Sequence, residues 1–127
     1  MGGIRYGAIA IIVCLVAIGG LYEGDKPPKK LIGYWEVTKV EKNDGTIRKG
    51  NRKFLEFHKD GTLQGGKVGS YADKNGNWTY TKDSNTLTLS GDPGYSGDYE
   101  ILELNSTDME MLYLEDSTKI YMIKYQK

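Results

Sequence analysis

The sequence predicts an all-β protein, an eight-stranded antiparallel up-and-down barrel preceded by an apolar N-terminal leader. Ten tyrosines, two tryptophans and 17 glycines stand against three prolines, a composition typical of strands joined by tight turns. From residue 31 onwards, short runs of alternating apolar and polar residues recur between turn residues, without a helical period. Closure into a barrel would leave no exposed sheet edge, which suits a chain with few strand prolines.

The length and charge of the chain exclude several classes of protein. A chain of 127 residues supports one domain. The 17 basic residues equal the 17 acidic ones, so no net field attracts nucleic acid, and we expect no nucleic-acid partner. The only cysteine is Cys14 in the leader. An intramolecular disulfide is therefore impossible, and the folded part depends on its core.

Residues 1–22 form the leader. Arg5 is followed by an apolar run over residues 8–18 and then by Gly19 and Gly20, a pattern typical of a secretory signal peptide. An uncleaved membrane anchor and lipidation at Cys14 are the alternatives. We expect an exported protein, either secreted or in the cell envelope (periplasm or outer surface), that meets a membrane only through residues 1–22. Residues 23–30, which contain Pro27 and Pro28, form an extended linker to the barrel domain at 31–127.

Each predicted strand of the domain is bounded by a turn signal. The first strand covers residues 32–42, and Asn43-Asp44-Gly45 ends it with a hairpin-type turn. Two Gly-rich or polar segments, 65–75 and 91–97, are predicted as the main loops. The remaining strands are predicted at 54–58, 62–64, 77–81, 86–89, 99–104, 109–114 and 119–125.

Several of these segments resemble a known family. Four motifs occur in the order found in lipocalin-like domains of secreted bacterial proteins: Gly33-Tyr34-Trp35 at the first strand, Leu55 to Leu63 around the Asp60-Gly61 turn, Gly76-Asn77-Trp78-Thr79-Tyr80, and the hairpin from Leu102 to Tyr113. Larger lipocalins carry Thr-Asp-Tyr near the sixth strand, where this chain has Gly97-Asp98-Tyr99. Their arginine over the tryptophan is replaced here by Lys124 or Lys127.

The resemblance implies binding rather than catalysis. It predicts a small apolar ligand held by the barrel aromatics, although these rings could instead simply fill an eight-stranded barrel. The alternative is a protein-binding barrel, such as an inhibitor of an extracellular hydrolase, that acts through loops 65–75 and 91–97 with Tyr71 or Tyr95. The candidate ligand-binding residues are Trp35, Phe57, Trp78, Tyr80, Tyr99 and Tyr113.

Residues for catalysis, metals or cofactors are scarce in the sequence. His58 is the only histidine and lies at a strand edge beside Lys59 and Asp60, so an exposed structural role is expected rather than a triad or metal site. The segment 73–77 resembles a calcium loop, but Trp78 stands where that loop requires glycine. An enzyme would need carboxylates such as Glu36, Glu56 and Glu103 to converge inside the barrel. We therefore predict no catalytic residue, metal or cofactor.

Overall fold

The computed structural model describes residues 25–125. A short 3-10 turn, Lys29–Leu31, leads into a sheet of nine strands. The strands are β1 (Gly33–Glu41), β2 (Ile47–Lys49), β3 (Lys53–Phe57), β4 (Thr62–Lys67), β5 (Ala72–Thr81), β6 (Thr86–Ser90), β7 (Gly97–Leu104), β8 (Asp108–Tyr113) and β9 (Thr118–Tyr125).

The sheet closes into the predicted eight-stranded antiparallel barrel. From β3 to β9 each strand pairs with its successor, and β9 pairs with β1. Strand β2 pairs with the far end of β1 at residues 39–41, whereas β3 pairs with its near end at residues 33–36. The two short strands therefore occupy one barrel position, interrupted at residues 50–52. The fold class predicted from the sequence is confirmed.

Antiparallel order puts alternate connections at opposite ends of the barrel. The turns at 58–61, 82–85 and 105–107 share one end with the 3-10 turn Lys29–Leu31, and we call this the closed half. The connections at 42–46, 68–71, 91–96 and 114–117 lie at the other end, which we call the open half. The chain alternates between the two ends, so each strand contributes inward side chains to both halves.

Large side chains fill the closed half. Trp35 is fully buried and its Nε1 donates a hydrogen bond to the Leu31 carbonyl at 2.9 Å. Phe57 and Trp78 meet edge to face with ring centroids 5.8 Å apart, and Trp78 Nε1 donates to the His58 carbonyl at 3.0 Å. Both indoles thus bury their rings and satisfy their N–H groups on the backbone. The rest of the core consists of Leu63, Tyr80, Leu87, Leu89, Tyr99, Ile101, Met109, Met111 and Met122.

Lys124 covers the tryptophan of the first strand, as one of the two lysines was predicted to do. Its ammonium lies 5.1 Å from the centre of the Trp35 ring and donates to the Lys30 carbonyl at 2.9 Å. Gly33 has φ +139°, and a Cβ there would lie 2.7 Å from Lys124 Cε. The Gly-x-Trp spacing therefore reflects a close approach between the first and last strands.

Two predictions about loops are wrong. Segment 65–75 is mostly strand, because β4 continues to Lys67 and β5 begins at Ala72, leaving only 68–71 as a connection. Loop 91–97 ends one residue earlier, since Gly97 begins β7. The basic segment Ile47–Lys49 was predicted as non-strand but forms β2. In all three places the backbone pairs with a neighbouring strand, with a register shift between Gly65 and Gly66, but the side chains lack the apolar alternation by which strands are recognised.

Strands β7 to β9 carry apolar residues that adjoin on both faces. The register between β7 and β8 shifts between Ile101 and Glu103, which places Leu102 in a partly exposed bulge. Ile123 is likewise partly exposed on the outer face of β9. The predicted leader, residues 1–22, lies outside the described residues. Within residues 25–125, no helix has the length and apolar character needed to cross a membrane.

Candidate ligand-binding site

A cavity of about 590 Å³ lies in the open half of the barrel. Its wall is apolar where it meets the core, through Val37, Val40, Leu55, Tyr99 and Ile120. Inward side chains here are much smaller than the indoles of the closed half. Gly65 contributes none, although it is buried in β4 with Leu55 and Lys74 on either side. The cavity exists because strands that are fully packed at one end carry small residues at the other.

The connection 91–96 borders the cavity through Gly94 and Tyr95. Asp92 holds this connection, accepting from the Gly94 N–H at 2.7 Å through its side chain and from the Ser96 hydroxyl at 2.7 Å through its carbonyl. The Tyr95 carbonyl accepts a 2.6 Å hydrogen bond from the Tyr99 hydroxyl. This network ties the connection to the barrel wall, so the edge of the cavity is preorganised.

The Tyr95 ring packs beside Gly76, where a Cβ would lie 2.6 Å from the tyrosine oxygen. Its hydroxyl is buried and has no hydrogen-bond partner in the described part of the chain. Burial, and secondarily the charge of Asp92, raises the pKa of Tyr95. Burial likewise raises the pKa of Tyr99, with a smaller effect from Tyr113. Both phenols are therefore neutral hydrogen-bonding groups at physiological pH.

Basic side chains surround the outer part of the cavity. Among the described residues that line the cavity, Asp73 is the single acidic one, and its carboxylate lies 3.9 Å from the Lys74 ammonium. The site thus combines an apolar floor with a positively charged rim, although the whole chain has no net charge. The six basic residues of the rim are Lys42, Arg48, Lys49, Lys53, Lys67 and Lys74.

The six aromatic residues predicted to bind a ligand lie at different depths. Trp35, Phe57, Trp78 and Tyr80 belong to the buried core, and none of them lines the cavity. Tyr99 belongs to the core and also lines the cavity. The Tyr113 ring lies 5.0 Å from that of Tyr99, and its hydroxyl donates to Glu115 at 2.7 Å.

Sequence reasoning missed most of the cavity wall and all of its basic rim. Val37, Val40 and Ile120 were assigned to strands but not to a site, since isolated aliphatic residues carry no chemical signature. A usable signal was present in the alternation itself. Lys53 lies two residues before the inward Leu55, and Lys67 four residues after the inward Leu63. A period of two therefore places both lysines on the inner face.

The residues considered for catalysis lie elsewhere. Trp35 points inward, so its neighbour Glu36 lies on the outer face, where its carboxylate pairs with Arg52 at 2.7 Å. Glu56 is directly opposite Tyr34 and shares that outer face. His58 Nε2 lies 3.3 Å from Gln64 Oε1 at the closed end. No group of three or more His, Cys, Asp or Glu residues within 25–125 is arranged to hold a metal ion.

Comparisons with known proteins agree with this architecture. The crystal structure of a lipocalin-like protein from Bacteroides uniformis superposes with a TM-score of 0.64 at 19% identity, covering 76% of this chain and 99% of that one. An uncharacterized protein from Bacteroides eggerthii gives a TM-score of 0.62 at 20% identity, covering 75% and 99%. No curated protein matches the chain. The family model described as "Lipocalin-like domain" matches residues 31–111, and the chain belongs to that family.

Proposed function

We propose that this protein is a binding protein that holds a small, largely apolar molecule in the cavity of the open half. The observation that carries the proposal is the cavity of about 590 Å³ above a filled core. That volume lies within the range of about 300–1,000 Å³ typical of small-molecule sites. An apolar wall with few polar groups is the lining that such sites use.

Tyr99 and the aliphatic residues Val37, Val40, Leu55 and Ile120 would contact the ligand directly. The deeper aromatic residues of the predicted set would act as a rigid floor beneath it. Their buried packing keeps the wall residues in place before a ligand arrives, which lowers the entropy cost of binding. Tyr113 would support the site from the side through its contact with Tyr99.

Filling the cavity is the direct test. Val40→Phe would place a ring in the cavity, and Ile123→Phe adds the same ring on the partly exposed outer face of β9. Titration of the full chain with a neutral apolar fluorophore such as N-phenyl-1-naphthylamine should show binding by the wild type. We expect Ile123→Phe to bind equally well and Val40→Phe to bind at least about tenfold more weakly, since overpacking removes the space. Equal binding by all three proteins would refute the site.

Native mass spectrometry complements this test. The protein would be purified from its own source without detergent or organic solvent and then denatured in the spectrometer. A small molecule released on denaturation would support the proposal and identify the ligand class. A bare mass, together with no binding of the fluorophore, would contradict it.

A protein-binding role is the second candidate, and one observation favours it. Tyr71 is 94% exposed at the tip of the connection 68–71, and exposed tyrosines are frequent anchors at protein interfaces. Inhibition assays against extracellular glycosidases and proteases test this role. Inhibition that disappears in Tyr71→Ala while fluorophore binding persists would establish the second candidate.

We also propose that the protein is exported, because residues 1–22 have the pattern of a secretory signal peptide. Intact-mass analysis of the protein from its source cells distinguishes the three forms of the leader. Loss of about twenty N-terminal residues would support a signal peptide, an added acyl mass with Cys14 at the N-terminus would support a lipoprotein, and the full-length mass in the membrane fraction would support an anchor. A full-length mass in the cytosolic fraction would contradict export.

A further inference from the structure

Three of the six basic residues of the rim lie on three adjacent strands. At the open end of each strand, the last inward-facing residue is Lys53 on β3, Lys67 on β4 and Lys74 on β5. Lys53 and Lys67 are directly opposite each other in the β3–β4 ladder, and Lys74 is opposite Gly65 in the β4–β5 ladder. Strand register therefore brings three ammonium groups to one side of the cavity, above the buried Gly65.

Like charges directly opposite each other destabilise a sheet. Within residues 25–125 the Lys, Arg or His nitrogens that lie within 4.0 Å of a carboxylate belong to Arg52 (near Glu36), His58 (near Glu56) and Lys74 (near Asp73). Lys53 and Lys67 are not among these residues. The two opposed lysines thus lack a close carboxylate in the described chain, and only the loosely paired Asp73 lies near Lys74.

The other side of the cavity differs. Lys42 has acidic neighbours. Hydrogen bonds from Thr46 lower the pKa of Asp44 and hydrogen bonds from Thr118 lower that of Asp116, and the charge of Lys42 adds a smaller effect to both. Arg48 and Lys49 also line that side, but they lie on the separate short strand β2. Lys53, Lys67 and Lys74 lie together on three adjacent strands, and we call them the lysine triad.

From this arrangement we infer that the ligand is an anionic amphiphile, with its apolar chain among Val37, Leu55 and Ile120 and its negatively charged head group at the lysine triad. The inference rests on the proposed function and narrows it to a ligand class. A carboxylate, sulfate or phosphate head group could accept hydrogen bonds from two ammonium groups at once and would relieve their repulsion. An uncharged ligand would leave that repulsion in place.

A pair of ligands with the same chain tests the inference. Decanoate and decanol differ in the charge of the head group, so their dissociation constants for the full chain isolate its contribution. We expect decanoate to bind about tenfold more tightly at low salt, since each partly exposed ionic contact contributes modestly. Added salt should reduce this preference by screening. Equal affinities, or tighter binding of decanol, would overturn the inference while leaving the proposed function intact.

Matched charge variants locate the effect. Lys53→Gln, Lys67→Gln and Lys74→Gln combined should abolish the preference for decanoate and leave decanol binding unchanged. The combined control Lys26→Gln, Lys59→Gln and Lys82→Gln removes the same charge at exposed positions away from the cavity, and it should keep the preference. If the preference survived in the triad variant, the lysines would not hold the head group and the inference would fail.

Anionic phospholipid vesicles are the other source of such head groups. Co-sedimentation with these vesicles that disappears in the triad variant but persists in Val40→Phe would assign the lysines to a membrane surface and overturn the inference. The inference would be supported if Val40→Phe lost the bound decanoate and the wild type did not bind the vesicles. If the wild type bound neither decanoate, decanol nor the neutral fluorophore, the proposed function itself would fail.

Discussion

The two halves of the barrel follow the same alternation of inward and outward side chains but differ in what they place inside. The closed half carries Trp35, Phe57 and Trp78, which are buried in the core. The open half carries Gly65, small aliphatic residues and the lysine triad on continuations of the same strands. One half supplies the free energy of folding, because burial of large apolar groups dominates stability. The open half does not have to supply this free energy and can therefore hold a cavity.

Replacement of Trp35 should show this difference between the two halves most clearly. We expect Trp35→Ala to lower the free energy of unfolding by about 3–5 kcal/mol, through lost burial and a residual cavity. Urea unfolding followed by circular dichroism measures the change. Leu102→Ala, at the partly exposed bulge, is the control and should change stability little. A small effect of Trp35→Ala would mean that the closed half does not carry the stability.

Alkaline pH should lower the free energy of unfolding through Tyr99, which lies at the boundary between the two halves. The pKa of Tyr99 is raised in the folded state, chiefly by burial. A raised folded pKa means that the native state keeps a proton which the unfolded state releases. Its contribution is therefore complete below pH 10, the ordinary tyrosine value, and is lost as pH rises through the folded pKa.

We accordingly expect the free energy of unfolding to fall above pH 10 by up to about 1.4 kcal/mol per pH unit for each such group. Urea midpoints measured across this range test the expectation. Tyr99→Phe should make the decline shallower, whereas Tyr71→Phe at the exposed tip is the matched control and should leave it unchanged. A stability that rises with pH in this range would contradict the burial of Tyr99.

The charge over Trp35 should have an intermediate effect. Lys124→Met keeps an apolar stem over the ring but removes the cation and its hydrogen bond to the Lys30 carbonyl. We expect a loss of about 1–2 kcal/mol in the free energy of unfolding, combining a cation–π contact with a charged hydrogen bond. Lys82→Met, at an exposed turn, is the control. No difference between the two variants would show that Lys124 only covers the ring.

The smallest expected effect is an increase in the free energy of unfolding, and it comes from a substitution in the open half. Lys67→Glu places a carboxylate directly opposite Lys53, so a pair of like charges becomes a pair of opposite charges. We expect the ligand-free protein to gain roughly 0.2–1 kcal/mol, and the gain should shrink at high salt. Urea unfolding at two salt concentrations measures it. The same variant should bind decanoate more weakly, so a stability gain without a binding loss would separate the triad from the site.

The sequence and the structure agree best in the closed half. Trp78 was recognised because large aromatic residues at a period of two face the interior of a small barrel. Gly33 and Trp35 were recognised through the resemblance to lipocalin-like domains. The approach of a C-terminal lysine to Trp35 was also expected, and the contact is made by Lys124. Apolar alternation is strong in this half, and local pattern there coincides with tertiary packing.

The open half could not be predicted in the same way. Segment 65–75 is glycine-rich and polar, and it was assigned to a loop because one face of its strands borders a cavity and the other borders solvent. Its pairing depends on backbone hydrogen bonds to neighbouring strands, which local composition does not encode. The same reason explains why Ile47–Lys49 was missed as a strand.

By itself the sequence determined the all-β class, the number of barrel strands and the large residues of the core, because side-chain period and turn residues are local properties. Tertiary structure decided which inward positions enclose space and which are filled. It also decided that Lys53, Lys67 and Lys74 meet at one side of the cavity, since this juxtaposition depends on the register between strands. Register is fixed by closure of the whole barrel, and no single segment contains that information.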